Sequence, residues 1–100
     1  MKHLDAVLAH IDANIDASLE RLFAFLRIPS ISTDLAYQAE CRVAAEYGAA
    51  DLRSIGFSAS LRATAGHPVV LAKAGNGAAP RVLVYGHYDV QPVDPLDLWE

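Results

Sequence analysis

Arg81-Val82-Leu83-Val84-Tyr85-Gly86-His87-Tyr88-Asp89-Val90-Gln91-Pro92 decides the reading of this chain. A short, nearly continuous apolar run passes through a glycine into a polar loop. Such a run fits a strand buried on both faces. Ligands of open α/β sheets bind outside the carboxyl ends of the strands, and His87 lies two residues past this run. Gly86 lets the backbone turn or approach another segment closely. Residues i and i+2 of an extended chain point to the same side, so His87 and Asp89 can share a face while Tyr88 points away. A metal-bound histidine usually donates its other ring N–H to a carboxylate or carbonyl, which fixes the tautomer and strengthens the ligand. His-x-Asp can thus supply ligand and orienter, or the histidine and aspartate of a hydrolytic triad. The bland alternative is a surface loop with a helix-capping aspartate.

Upstream of the run, the period is that of helices. Leu4, Val7, Leu8, Ile11, Ile15, Leu19, Leu22, Phe23 and Leu26 recur at spacings of three and four, one apolar stripe with Asp5, Asp12, Asp16, Glu20 and Arg21 off it. Ile28-Pro29 ends the helix, because the residue before a proline is pushed out of the helical region. Ser30, Ser32, Thr33 and Asp34 then offer caps for an alanine-rich second helix from about Leu35 to Ile55, with Gly56 as a left-handed stop. Its Gly48 and alanines suit close packing on a sheet. Phe57 to Thr64 alternates weakly and reads as a strand. Ala65-Gly66-His67-Pro68 is a turn, Val69 to Ala74 a second strand, and Gly75-Asn76-Gly77 a hairpin-type turn before the third strand at Arg81–Tyr85. The expected fold class is therefore α/β: two helices followed by three strands of a mixed sheet. A sheet this small, with its buried-looking strand near the last residue, reads as unfinished.

Composition excludes several classes. The 100 residues suit one domain and are few for an enzyme with a deep cleft. With 53% apolar and 20% charged residues, the chain is too apolar for a disordered one. A net charge of −4 argues against nucleic acid or an anionic membrane as main partner, both of which call for a basic patch. No window approaches the roughly 18 to 20 unbroken apolar residues of a membrane span. The start, Met1-Lys2-His3-Leu4-Asp5, runs straight into the amphipathic pattern without a leader-like apolar stretch. A cytoplasmic location is the expectation, and the lone Cys41, read as a small buried hydrophobe, agrees with it.

Other candidates read as structural. His67 sits in a Gly-His-Pro turn, and His3 and His10 are seven apart on a helix, too far to chelate together. Tyr37 and Tyr47 are packing residues of the second helix, and Trp99 is a loop anchor or lines a cleft. Gly75-Asn76-Gly77 lacks the spacing of a phosphate loop. Ser30 and Ser32 lack the strand-to-helix elbow of a serine nucleophile.

Taken with its context, Val82 to Val93 resembles the first metal-site motif of the carnosinase, acetylornithine deacetylase and aminoacylase family of zinc peptidases (peptidase family M-twenty). There, an apolar strand leads into a Gly-His-x-Asp-x-x-Pro loop. The continuation Asp94-Pro95-Leu96-Asp97-Leu98-Trp99 is most similar to the dipeptidase branch. Leu26-Arg27-Ile28-Pro29-Ser30-Ile31-Ser32 and Ser54-Ile55-Gly56-Phe57 resemble the family's helix-ending segment and helix-to-strand junction. The resemblance runs from about Leu19 to Glu100.

The resemblance implies an α/β catalytic domain interrupted by a lid that often mediates dimers, and hydrolysis of a peptide or N-acyl amide bond at a site with two zinc ions. By position, His87 is the metal ligand, and Asp89 enters the catalytic machinery as the carboxylate that orients it. The bridging aspartate, the Glu-Glu pair, the remaining ligands and the lid come later in such proteins. Residues 1–100 are thus expected to be the N-terminal part of the catalytic domain, inactive alone because a catalytic zinc needs about three protein ligands. Cobalt or manganese could replace zinc. The complete protein would act on a small peptide or N-acyl amino acid and form a homodimer. The alternative is a non-catalytic truncated homologue that acts as an interaction module on a full-length partner.

Overall fold

The computed structural model describes residues 3–100; Met1-Lys2, part of the start weighed above for a leader, lie outside them. Helix α1 spans Leu4–Leu26 and helix α2 spans Gln38–Ser54. Strands β1, Ser58–Arg62, and β2, Val69–Lys73, form one antiparallel pair with Ser58 opposite Lys73 and Arg62 opposite Val69. Each boundary follows from local chemistry. The chain leaves α1 just before Ile28-Pro29. The Asp34 carboxylate accepts the Ala36 amide at 2.9 Å and opens a 3-10 turn, Leu35–Tyr37, that runs into α2. Gly56 takes φ +97° at the end of α2, a conformation that costs glycine little.

The core lies between α2 and the β1–β2 hairpin. Cys41, Ala44, Ala45 and Ala49 are fully buried on one face of α2, and Ile31 lies at the margin. Small side chains let the helix sit close to the hairpin. Gly48 does not share that task, since a Cβ built there meets nothing within 4 Å. Helix α1 touches the rest only near its C-terminal end. There Phe25 stacks on Tyr47 with centroids 5.5 Å apart, the Tyr47 hydroxyl donates to the Arg21 carbonyl at 2.9 Å, and Arg21 meets Asp51 at 3.5 Å. Tyr47 is thus the packing residue its position promised. None of α1 is buried, and nine of its ten large apolar residues, all but Phe25, are 39–53% exposed.

The expected third strand is absent among the described residues. Val82, Leu83, Val84 and Tyr85 are 82–93% exposed and pair with no strand, so the sheet is a two-stranded antiparallel one rather than mixed. Apolar composition makes a segment extended, but a ladder needs a neighbouring edge. For the same reason Gly75 and Gly77, at φ +91° and +79°, make a turn but not a hairpin. No helix among the described residues is long and apolar enough to cross a membrane.

Candidate metal-ligand site

The loop after Tyr85 is held by two segments distant in sequence. On one side lies Ser30-Ile31-Ser32. The Ser30 hydroxyl donates to the Tyr88 carbonyl at 3.0 Å, the Val90 amide donates to the Ser30 carbonyl at 3.0 Å, and Ile31 forms a single parallel bridge with Val90. On the other side lies the hairpin turn, where the Tyr88 hydroxyl donates to the Pro68 carbonyl at 2.6 Å. These contacts extend the backbone through Tyr88 to Val90 and send alternate side chains to opposite sides.

His87 and Asp89 accordingly share a side. The His87 Nδ1 stands 3.2 Å from Asp89 Oδ1, and the other carboxylate oxygen, Oδ2, accepts the Ser32 hydroxyl at 2.7 Å. A carboxylate only accepts, so the contact places the proton on Nδ1 and leaves Nε2 as the ring's lone-pair nitrogen. The Tyr85 hydroxyl lies 3.3 Å from Nε2, its ring edge-on to the imidazole at a centroid distance of 5.5 Å. His87 remains 72% exposed at its side chain, so a ligand could reach Nε2 once the Tyr85 hydroxyl gives way.

Charge follows the same geometry. The Ser32 hydrogen bond, chiefly, holds Asp89 below the usual carboxylate range, with a further contribution from His87, while burial opposes them. Burial raises the Tyr88 hydroxyl, aided by Cys41 and Asp89. It also raises the Cys41 thiol, with Asp89 and Glu40 adding to the effect. That thiol is fully buried and unpaired, the state of an inert packing residue.

An open concavity gathers Ser32, His67, Gly86, His87, Tyr88 and Asp89. Sequence reasoning left two of these out. His67 was assigned to a turn, and it does sit in one, yet its Nε2 lies 2.8 Å from the Ser32 carbonyl, which makes that nitrogen the donor. Ser32 reads as a cap of α2, but Asp34 caps the 3-10 turn ahead of that helix and α2 itself carries no side-chain cap. No local pattern pointed to either contact, because 57 residues separate Ser32 from Asp89 and 35 separate it from His67. Trp99 anchors its loop, its indole N–H donating to the Val93 carbonyl at 2.7 Å.

As a metal centre the arrangement is one arm of a site. His87 offers Nε2 with Asp89 behind it, which suits a ligand and its orienter. Among the described residues no group of three or more His, Cys, Asp or Glu side chains could hold a metal ion.

The chain is similar to curated metallodipeptidases. It is 33% identical over 99 residues to the Cys-Gly metallodipeptidase of Candida albicans, with 82% of this chain and 20% of that protein covered. The Schizosaccharomyces pombe protein of the same name is 29% identical over 107 residues, with 96% of this chain and 22% of the relative covered. The Saccharomyces cerevisiae protein is 30% identical over 115 residues, with 100% and 24% covered. The chain thus spans about a fifth to a quarter of the length of the curated relatives it matches. No family model matches it. No solved structure matches it either.

Proposed function

We propose that this chain supplies the first metal-ligand segment of the catalytic domain of a metal-dependent dipeptidase. The observation that carries the reading is the His87–Asp89 pair at 3.2 Å, with the His87 side chain largely exposed, in a chain similar over its whole length to a metallodipeptidase. His87 Nε2 would hold one ion of a two-zinc site, cobalt or manganese being substitutes, and Asp89 would keep the proton on Nδ1. When bound, the metal polarises the scissile carbonyl. The substrate class is a dipeptide such as Cys-Gly, the compound in the relatives' names, or an N-acyl amino acid. The complete protein is read as cytoplasmic and homodimeric.

One ring nitrogen falls short of the about three protein ligands of a catalytic zinc. The 100-residue chain alone is therefore expected to hydrolyse Cys-Gly no faster than buffer. A chimera tests the reading: residues 1–100 replace the matching segment, about a fifth, of the Candida albicans protein. The expected result is metal-dependent Cys-Gly hydrolysis that His87→Ala abolishes along with bound metal. A folded, active chimera indifferent to His87→Ala would overturn the assignment.

A second reading draws on Val82–Tyr85, apolar, unpaired and 82–93% exposed. Such a segment can add itself as a strand to a partner's sheet, which would make the chain an interaction module on a full-length homologue. Co-purification with such a homologue, lost on Val84→Pro, is the expected result. Retention by the proline variant would remove this reading.

A further inference from the structure

Asp89 has two carboxylate oxygens with separate partners: Oδ1 faces His87 Nδ1 at 3.2 Å, and Oδ2 takes the Ser32 hydroxyl at 2.7 Å. A carboxylate's terminal torsion is broad and nearly two-fold. Without a partner on Oδ2, an aspartate on this loop would spend much of its time turned from the imidazole. Ser32 can hold that oxygen because its own backbone is fixed from two directions. His67 Nε2 donates to the Ser32 carbonyl at 2.8 Å, and the adjoining Ile31 is bridged to Val90.

We propose that Ser32 is a positioning residue for His87. Its hydroxyl sets the plane of the Asp89 carboxylate, so that Oδ1 keeps the ring proton on Nδ1 and Nε2 stays the unprotonated nitrogen. The Tyr85 hydroxyl, 3.3 Å from Nε2, then meets a lone pair that it can donate to. Three residues from two segments, Ser32 on one and His87 with Asp89 on the other, act as one unit, and His67, from a third, braces it from behind. The proposal rests on His87 being a metal ligand for its purpose, but the tautomer it predicts exists without metal.

Long-range proton–nitrogen spectra of the imidazoles, recorded on the metal-free 100-residue chain at a pH where imidazole is neutral, read the tautomer directly. The wild type is expected to hold His87 mainly as the Nδ1–H form. In Ser32→Ala the ratio should fall toward that of free imidazole, and in Ser32→Thr, which keeps the hydroxyl, it should be retained. A merely structural role would loosen the loop as a whole. Amide exchange at Val90, whose acceptor is the Ser30 carbonyl, should therefore stay unchanged in Ser32→Ala. Where the alanine variant fails to fold, the near-isosteric pair Ser32→Thr and Ser32→Val carries the comparison.

A tautomer ratio indifferent to the hydroxyl overturns the proposal, as does one that moves only together with Val90 exchange. A wild type without the Nδ1–H form overturns it outright. Because no metal is present, such a failure leaves the ligand assignment of His87 to the chimera.

Discussion

Replacing Ser30 by alanine should loosen the loop at Tyr88 from 58 residues away. Ser30 is 1% exposed, its hydroxyl donates to the Tyr88 carbonyl at 3.0 Å, and its carbonyl accepts the Val90 amide at 3.0 Å. Ser30→Ala removes the first bond and leaves the second. The methyl group of alanine keeps most of the volume, so the cavity term is small. The main loss is the donor to a carbonyl on a half-buried residue, and orphaning a buried acceptor costs about 1–3 kcal/mol. Water reaches this loop in part, which places the effect near the lower end, about 1–1.5 kcal/mol.

Every 1.4 kcal/mol is tenfold in an equilibrium constant, so local opening at Val90 should become roughly tenfold more frequent. Hydrogen exchange of the Val90 amide measures that opening directly. Urea unfolding followed by circular dichroism should show a midpoint lower by about 0.5–1 M. If neither the exchange rate nor the midpoint moves, the Ser30–Ser32 segment does not hold the loop through its side chains. The account of how Asp89 is presented would then fail with it.

Other consequences are open to measurement. Gly48→Ala should stabilise α2 by about 0.5–1 kcal/mol, since an added Cβ meets nothing within 4 Å and glycine inside a helix costs about that much; a lower urea midpoint would mean that α2 packs more tightly at Gly48 than described. Asp89 is held below the usual carboxylate range, chiefly by Ser32, so the native state binds its proton less readily than the unfolded chain does. Its contribution to stability is therefore full above the ordinary carboxylate pKa and lost as pH falls through the lowered one. Urea midpoints of Asp89→Asn and wild type should converge on acidification through that window, and a gap of constant size would refute the linkage. With nine large apolar residues of α1 at 39–53% exposure, the chain should self-associate or dissolve poorly. Sedimentation over a concentration series checks this, with a weaker tendency expected for Ile11→Glu, and a single monomeric boundary at every concentration would contradict it.

Much of the backbone was legible from local pattern. The spacing of three and four in the first 26 residues sets α1, and the stop at Ile28-Pro29 lies within two residues of its last turn. Gly56 marks the end of α2 because only a left-handed residue satisfies the last carbonyls there. The strand readings, 57–64 and 69–74, contain β1 and β2, starting together with β2 at Val69 and running one or two residues past the other ends. The expectation for α2 began three residues early, since Asp34 first caps a 3-10 turn. His87 and Asp89 sharing a side was also readable, because extended chain alternates.

Propensity alone misled at Val82–Tyr85 and at the serines. Strand character is completed by a neighbour's hydrogen bonds, and among the described residues no strand offers them at that position. A serine hydroxyl near a helix start reads as a cap because that is its cheapest local partner. Ser30 and Ser32 instead spend theirs on Tyr88 and Asp89, partners supplied by chain closure over more than fifty residues.

By itself, then, the sequence determined two helices, a hairpin, the left-handed stop and a His-x-Asp pair able to serve as ligand and orienter. Each of those depends on residues within a few positions of one another. Only the tertiary structure decided that Ser32 holds the free oxygen of Asp89, that His67 backs Ser32, and that the apolar run before the site lies unpaired. Those outcomes depend on which distant segments meet, and hydrogen bonds across such distances carry no local period.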